Sequence, residues 1–356
     1  MEQVATRSPR RIRLGVDLAV LALVGVLLIA ATGAAGAVLY QQFYSPAAFV
    51  VRYLDLLANG KAADALLVPG VSVDRSTLED AGIDPTASEA LLRQAALAPL
   101  TDVEIVSEEE TDGITAVTVS YKASGHAGTS TFQVEQDGWT GVAPRWRFSQ
   151  SPLASVQLTL LGSDQFTVNG FTVERGQVSA AGSEADPLAP LSLLVFTPGV
   201  YSVTVDTAIS ESSGISVLAD VPLTSTEVEV QANATEEFVD IVQQRVEEFL
   251  TECTTQQVLQ PTACPFGFEV QNRIANLPTW SIVEQPTVRV EPDGASWVIP
   301  ATDAVAHIEV DIRSLFDGSI QHVSEDVPFQ VNGTITILED GSASIRVGSP
   351  LETDAG

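Results

Sequence analysis

Residues Leu14 to Tyr40 read LGVDLAVLALVGVLLIAATGAAGAVLY, and from Leu18 to Val38 the run carries no charge. At ~1.5 Å per helical residue the uncharged run is roughly 30 Å long, one bilayer hydrocarbon core. In hydrocarbon every backbone polar group has to be bonded within the segment, so a helix is the form expected. Arg7, Arg10, Arg11 and Arg13 precede the run, and no basic residue follows it until Arg52. This asymmetry predicts residues 1–13 as a cytoplasmic basic tail, 14–40 as a single transmembrane helix in the plasma membrane, and the chain beyond about Gln41 as extracytoplasmic. The alternative is a cleaved secretory signal, for which Ala35-Gly36-Ala37 has the small-x-small form. Against cleavage, the run is longer than a signal core and continues to an aromatic cluster, Tyr40, Phe43 and Tyr44, suited to a membrane interface.

The charge balance agrees with export. Asp and Glu number 46 against 17 Lys and Arg, a formal net charge of −29, and four of the basic residues flank the anchor. Such a surface repels nucleic acid and anionic lipid headgroups, which excludes both as partners of the globular part. It suits either a cationic partner or plain solubility outside the cell. With 45% hydrophobic residues in 356, the chain is long and apolar enough for two or three domains.

After the anchor, Ser45-Pro46 opens a helix in which Phe49, Val50, Tyr53, Leu54 and Leu57 share one face, and Asn59-Gly60 ends it. A shorter helix is expected to about Leu67, where Pro69-Gly70 stops it, and another from Asp84-Pro85 carrying Leu91, Leu92, Ala95 and Ala96. The period then changes to alternation: Val103–Ile105, Val117–Tyr121, Thr131–Glu135 with a turn at Asp137-Gly138, and Trp146–Phe148. The dense acidic run Glu108-Glu109-Glu110 lacks calcium-loop spacing and reads as a solvated turn between strands. Helices followed by an antiparallel meander predict an α+β domain over 46–150.

SPAAFVVRYLDLLANGKAADALL, PLTDVEIVSEEETDGITAVTVSYKA and STFQVEQDGW with a final WRF resemble the ketosteroid-isomerase-like, or cystatin-like, cone fold of exported proteins from high-GC Gram-positive bacteria. The resemblance implies a fold without assigning an activity. Enzymes of that fold place Asp, Tyr or His in the mouth of the cone, which makes Tyr53, Asp55, Tyr121 and His126 a candidate pocket; in the alternative, the two tyrosines are core and His126 is a loop residue.

Ser151-Pro152 marks a boundary, followed by strand and turn signals only. Asn169-Gly170 between alternating residues 166–173 predicts a type I′ hairpin, a flexible stretch follows over 179–184, and Pro198-Gly199 is expected to turn one strand into the next. VNG followed by PGVYSVTV resembles small β-sandwich modules of PEGA type, and also the second extracytoplasmic domain of teicoplanin-resistance-associated membrane proteins, over 152–232.

Asn233 to Glu236 has capping-box spacing and opens a helix whose stripe is Phe238, Ile241, Val242, Val246, Phe249 and Leu250. Cys253 and Cys264 are the only cysteines; in an exported chain an even pair this close predicts a disulfide. Strands are then expected at 280–283, 287–290, 297–299 and 304–312, with a last hairpin turning at Asp340-Gly341. A helix followed by a meander predicts a second cone-like domain over 233–348 and leaves 349–356 as a disordered tail. FLTECTTQQVLQPTACPFG looks like a motif of actinobacterial membrane proteins with this three-part arrangement. Those proteins often begin with a zinc ribbon; here only the basic segment precedes the anchor, which implies no cytoplasmic sensor.

The whole is expected to be α+β: a transmembrane helix, then two cone-like helix-plus-antiparallel-sheet domains separated by a small all-β sandwich. His126, His307 and His322 lie on separate segments, and no hydrolase, phosphate-loop or dinucleotide signature is present. No cofactor, metal ligand set or catalytic residue is therefore expected. The function expected is a membrane-anchored binding or scaffold protein of the bacterial envelope, partnered by an envelope component or another protein. The alternatives are a small-molecule isomerase or hydrolase acting in a cone, and a rigid stalk.

Overall fold

The computed structural model describes residues 18–27, 43–141, 143–338 and 341–348. The chain is mixed α+β with 46% strand. Residues 18–27 are helical and exposed, whereas 14–17 and 28–40 of the expected anchor lie outside the described residues, as do 1–13 and 349–356. Among the described residues no helix is long and apolar enough to cross a membrane.

Three hydrophobic cores follow one another along the chain. In the first, Ser45 caps helix α1 (Pro46–Ala58) by accepting from Ala48 N at 3.1 Å, and the face bearing Phe49, Val50, Tyr53, Leu54 and Leu57 is buried. Helices α2 (Ala62–Leu66) and α3 (Arg75–Asp80) follow. Strands β1 (Leu100–Thr111), β2 (Ile114–Ala123), β3 (His126–Thr140) and β4 (Ala143–Phe148) form an antiparallel meander against α1. Glu108-Glu109-Glu110 are not a turn; they extend the edge strand β1, and the chain reverses at Asp112-Gly113, both at positive φ. At Asp137-Gly138 there is likewise a register irregularity rather than a hairpin, between Gln136 and Trp139 of β3.

The helix expected from Asp84 is absent. Asp84 Oδ1 instead accepts from Thr86 N at 2.7 Å, an Asx turn, and Ser88 bridges to the neighbouring sheet by giving its N–H to Ser192 O and accepting from Leu194 N. Backbone groups satisfied by a sheet edge have no need of a helix. Only a 3₁₀ turn over Gln94–Ala96 remains, and the segment laces two cores together: Leu92 enters the first, Leu91 and Ala96 the second.

The second core lies between two sheets. Strands β5 (Leu153–Leu161), β6 (Gln165–Val168), β7 (Phe171–Glu174), β8 (Leu191–Phe196), β9 (Gly199–Thr204), β10 (Ser210–Glu211), β11 (Ile215–Ala219) and β12 (Ser225–Gln231) are joined after β7 by the short helix α4 (Arg175–Val178). One sheet has the order β12-β5-β8 with β12 parallel to β5, the other β11-β9-β6-β7. The Asn169-Gly170 hairpin forms as expected, at positive φ on both residues. Pro198-Gly199 does not make a hairpin: β8 and β9 belong to opposite sheets, and the chain crosses between them at a cis Thr197–Pro198 bond. Residues 179–184 carry a 3₁₀ turn over Gly182–Glu184. The boundary at Ser151-Pro152 is tightly packed, with Ser151 buried and Leu153, Leu194, Phe196 and Val200 completing the first core.

In the third unit, Asn233-Ala234 form β13, paired with β10, so the helix cap moves to Thr235, whose side chain accepts from Phe238 N at 3.2 Å. Helix α5 (Glu236–Thr254) buries Phe238, Val242, Val246, Leu250 and Cys253, while Ile241 is exposed. It packs on a six-stranded sheet of β14 (Arg273–Ile274), β15 (Thr279–Glu284), β16 (Glu291–Asp293), β17 (Ser296–Arg313), β18 (Ile320–Ile337) and β19 (Ala343–Gly348). Two expected strands, 297–299 and 304–312, are one strand with a register irregularity. The strand expected at 287–290 is irregular, because Gln243 of α5 takes its backbone groups: Oε1 accepts from Val288 N at 2.8 Å and Nε2 donates to Pro286 O at 3.0 Å. Cys253 and Cys264 are disulfide-bonded, and just beyond the loop they close Phe266 packs against Trp280 and Phe329.

Opening this disulfide by Cys253→Ser with Cys264→Ser is expected to cost about 2–3 kcal/mol of stability, the loop-entropy value for so short a ring. Denaturant titration read by tryptophan fluorescence checks it; a loss below ~0.5 kcal/mol would mean that the packing of Phe266 beside the loop holds it closed without the bridge.

Candidate functional site

The four residues expected at a cone mouth do not meet. Tyr53 is fully buried among Phe148 and Phe132, with ring centroids at 5.1 and 6.2 Å, and its hydroxyl donates to Thr197 O at 3.0 Å. Tyr121 is 2% exposed; its ring covers Gly128, where a Cβ would come within 2.5 Å of the hydroxyl, and its oxygen lies 3.4 Å from Ser130 Oγ. Burial raises both tyrosines above the ordinary pKa, Tyr53 by much the more. Asp55 and His126 are exposed, Asp55 on the outer face of α1 and His126 at the start of β3.

A different constellation forms where no motif pointed. Strands β17 and β18 align His307 with Asp326 and Glu309 with Ser324 on one face. His307 Nδ1 is 2.7 Å from Asp326 Oδ1 and its Nε2 is 3.1 Å from Ser324 Oγ, while His322 Nδ1 lies 2.9 Å from Asp311 Oδ1. The order Ser, His, Asp is that of an acyl-transfer triad, but the surroundings are not. Strand β17 is paired on both sides, by β15 and β18, so the backbone beside His307 is engaged in the ladder. Asp326 is also 63% exposed, unlike a buried orienting carboxylate. The row is a cross-strand polar ladder. Its sequence signal was the mirrored spacing His307-x-Glu309-x-Asp311 and His322-x-Ser324-x-Asp326 about a turn near Asp317-Gly318.

The concave feature best suited to a ligand is a cleft of about 790 Å³ where the second and third units meet. Arg175 holds its floor. This side chain is 5% exposed, and its guanidinium donates through Nε to Asp164 Oδ1 at 3.1 Å, through Nη2 to Leu160 O at 2.6 Å and through Nη1 to Ala189 O at 3.3 Å. A buried cation bonded through all three of its nitrogens is a fixed strut. One wall is the turn Thr207–Ser210, tied by hydroxyl bonds and joined to the cap of α5 by Thr235 Oγ1 donating to Ala208 O at 3.1 Å. Ile209, Ile337, Leu338, Ala185 and Pro187 supply apolar surface, and Glu174 supplies negative charge, Asp164 being paired with Arg175. Among the described residues the lining contains no His, Cys or Lys. Its chemistry is shape and attraction for cations, without a nucleophile and base pair. Among the described residues no cluster of His, Cys, Asp and Glu is arranged to hold a metal ion.

Compared with protein-family models, curated proteins and solved structures, the chain matches none of them.

Tyr53, Tyr121 and Tyr201 all have raised pKa values, chiefly through burial. Below the unfolded value near 10 their neutral forms suit both states; above it the unfolded chain alone ionises, so folding stability is expected to fall as pH rises from about 10 toward the folded values. Unfolding free energy measured across that range checks the sign. Ser324 is expected to react with a fluorophosphonate no faster than other surface serines; labelling that His307→Ala abolishes would restore a nucleophilic role.

Proposed function

We propose that this chain is a membrane-anchored, extracytoplasmic binding or scaffold protein of the bacterial cell envelope, and that it recognises its partner rather than transforming it. The observation that carries this reading is the cleft between the second and third units, whose ionisable lining among the described residues is Glu174 and the buried pair of Asp164 with Arg175. Such a site favours an occupant that is apolar with a basic flank. The disulfide supports an oxidising compartment. The charge-free run from Leu18 to Val38 and the arginines before it support a tether with the C-terminal part outside. In this reading the first and third units are cone-like domains flanking a β-sandwich, as the resemblance to teicoplanin-resistance-associated membrane proteins implies. The isomerase or hydrolase alternative would need its tyrosines in an open mouth, and Tyr53 and Tyr121 are instead buried.

Protease added to intact cells is expected to remove the C-terminal portion while sparing the N-terminus, and thiol reagents are expected to reach Cys253 and Cys264 only after reduction. Protection of the C-terminal portion, or two free thiols in the native protein, would refute the envelope assignment.

A further inference from the structure

The turn between β17 and β18 carries the most exposed apolar group among the described residues: Phe316 is 100% exposed, Leu315 72% and Ile320 58%. The turn is pre-set. Ser314 Oγ accepts from Phe316 N at 3.2 Å, Asp317 Oδ1 accepts from Ser319 N and Oγ at 3.1 and 2.8 Å, and Ser314 N donates to Ser319 O at 2.9 Å. A rigid apolar knob loses little freedom on docking. Directly behind it, Arg273 of β14 and Arg313 of β17 stand opposite each other, and Arg313 is in turn opposite Ile320. Two exposed like charges placed face to face are unfavourable. Neither arginine forms an ion pair among the described residues. In a chain of net charge −29, the apolar tip is thus backed by unneutralised positive charge.

The cleft has the complementary character. It offers apolar walls from Ile209, Ile337 and Leu338 and, from Glu174, a carboxylate without an ion pair among the described residues, Asp164 being held by Arg175, with room for a phenylalanine and a leucine in its 790 Å³. Within one molecule the two cannot meet, because the knob lies at one end of the 18-residue strand β18 and the cleft at the other, roughly 55 Å apart along an extended strand. We propose that the Leu315-Phe316 knob of one molecule seats in the cleft of a second copy of this chain, with Arg273 and Arg313 beside Glu174. Unlike surfaces meeting in this way make a heterologous contact, which propagates head to tail unless a ring closes. A bilayer is the rival occupant of an apolar tip beside arginines. The copy is favoured because the cleft joins apolar walls to Glu174, a carboxylate that no cation pairs with among the described residues, and so supplies what the exposed arginine pair lacks. The inference rests on the cleft as a binding surface and not on the envelope location, so failure here leaves the protease result intact.

Sedimentation velocity of the full chain in detergent, over rising concentration, tests it. The wild type is expected to associate with a dissociation constant on the order of 10–100 µM, as befits a small contact, and to grow past the dimer. Phe316→Asp in the knob and Glu174→Lys at the cleft are each expected to weaken association at least about tenfold, since each adds a like charge or removes the anchor. An equimolar mixture of the two variants is expected to form dimers and stop, because each pair keeps one intact knob and one intact cleft. A wild type that stays monomeric at ~100 µM overturns the proposal. So does association that survives both substitutions, as a transmembrane helix would drive, or a mixture that stays monomeric although both variants keep the native near-ultraviolet spectrum. A monomer that binds lipid vesicles through Phe316 gives the tip to the bilayer and equally overturns it.

Discussion

The indole of Trp297 sets the joint on which the candidate site depends. It is fully buried against Phe238, and its N–H reaches Ala232 O at 3.3 Å, the carbonyl of the residue that ends the second core. The chain passes so close at Gly162 that a Cβ there would lie 2.8 Å from the indole nitrogen, and Gly162 is held at positive φ. An aromatic ring with a polar edge is suited to such a place, since it fills volume and bonds a strand-end carbonyl at once. Fixing the sandwich against α5 and β17 fixes the distance between the Arg175 floor and the Ile337 wall.

The same economy appears at the other junction. Tyr53 from α1 reaches across to Thr197 O, Ser130 Oγ donates to Asp220 O at 2.6 Å, and Ser151 Oγ donates to Val71 O, so the first and second units are stitched by buried hydrogen bonds as well as by a shared apolar core. Buried polar groups left unpartnered are costly, so each of these bonds penalises a slipped arrangement more than it rewards the correct one. Tyr53, one of the candidate pocket residues of the first unit, is thereby consumed by architecture.

How much was legible follows from the range of each signal. The first helix, with Ser45-Pro46 and its five-residue face, and the Asn169-Gly170 hairpin are local, and both form as read. The disulfide was legible because only one pairing existed. Misreadings arose where distant groups took over the backbone: Ser192 claims Ser88 from an expected helix, Gln243 claims Val288 from an expected strand, and β13 displaces the cap from Asn233 to Thr235. The cleft was not legible at all, since its walls come from five separate stretches between Ser163 and Gly341 and its strut, Arg175, looks like any surface arginine in the sequence. The polar ladder needed only the β17–β18 register, which the turn at Asp317-Gly318 would have given had residues 320–334 been read as a strand.

The glutamates of β1 bear on how such molecules crowd together. An outermost strand offers unsatisfied amides to any passing chain, and Glu104, Glu108, Glu109 and Glu110 place a fence of repulsion along this one. Indiscriminate sheet growth between neighbours is thereby suppressed electrostatically, so that whatever contacts the molecule makes are confined to its specific surfaces.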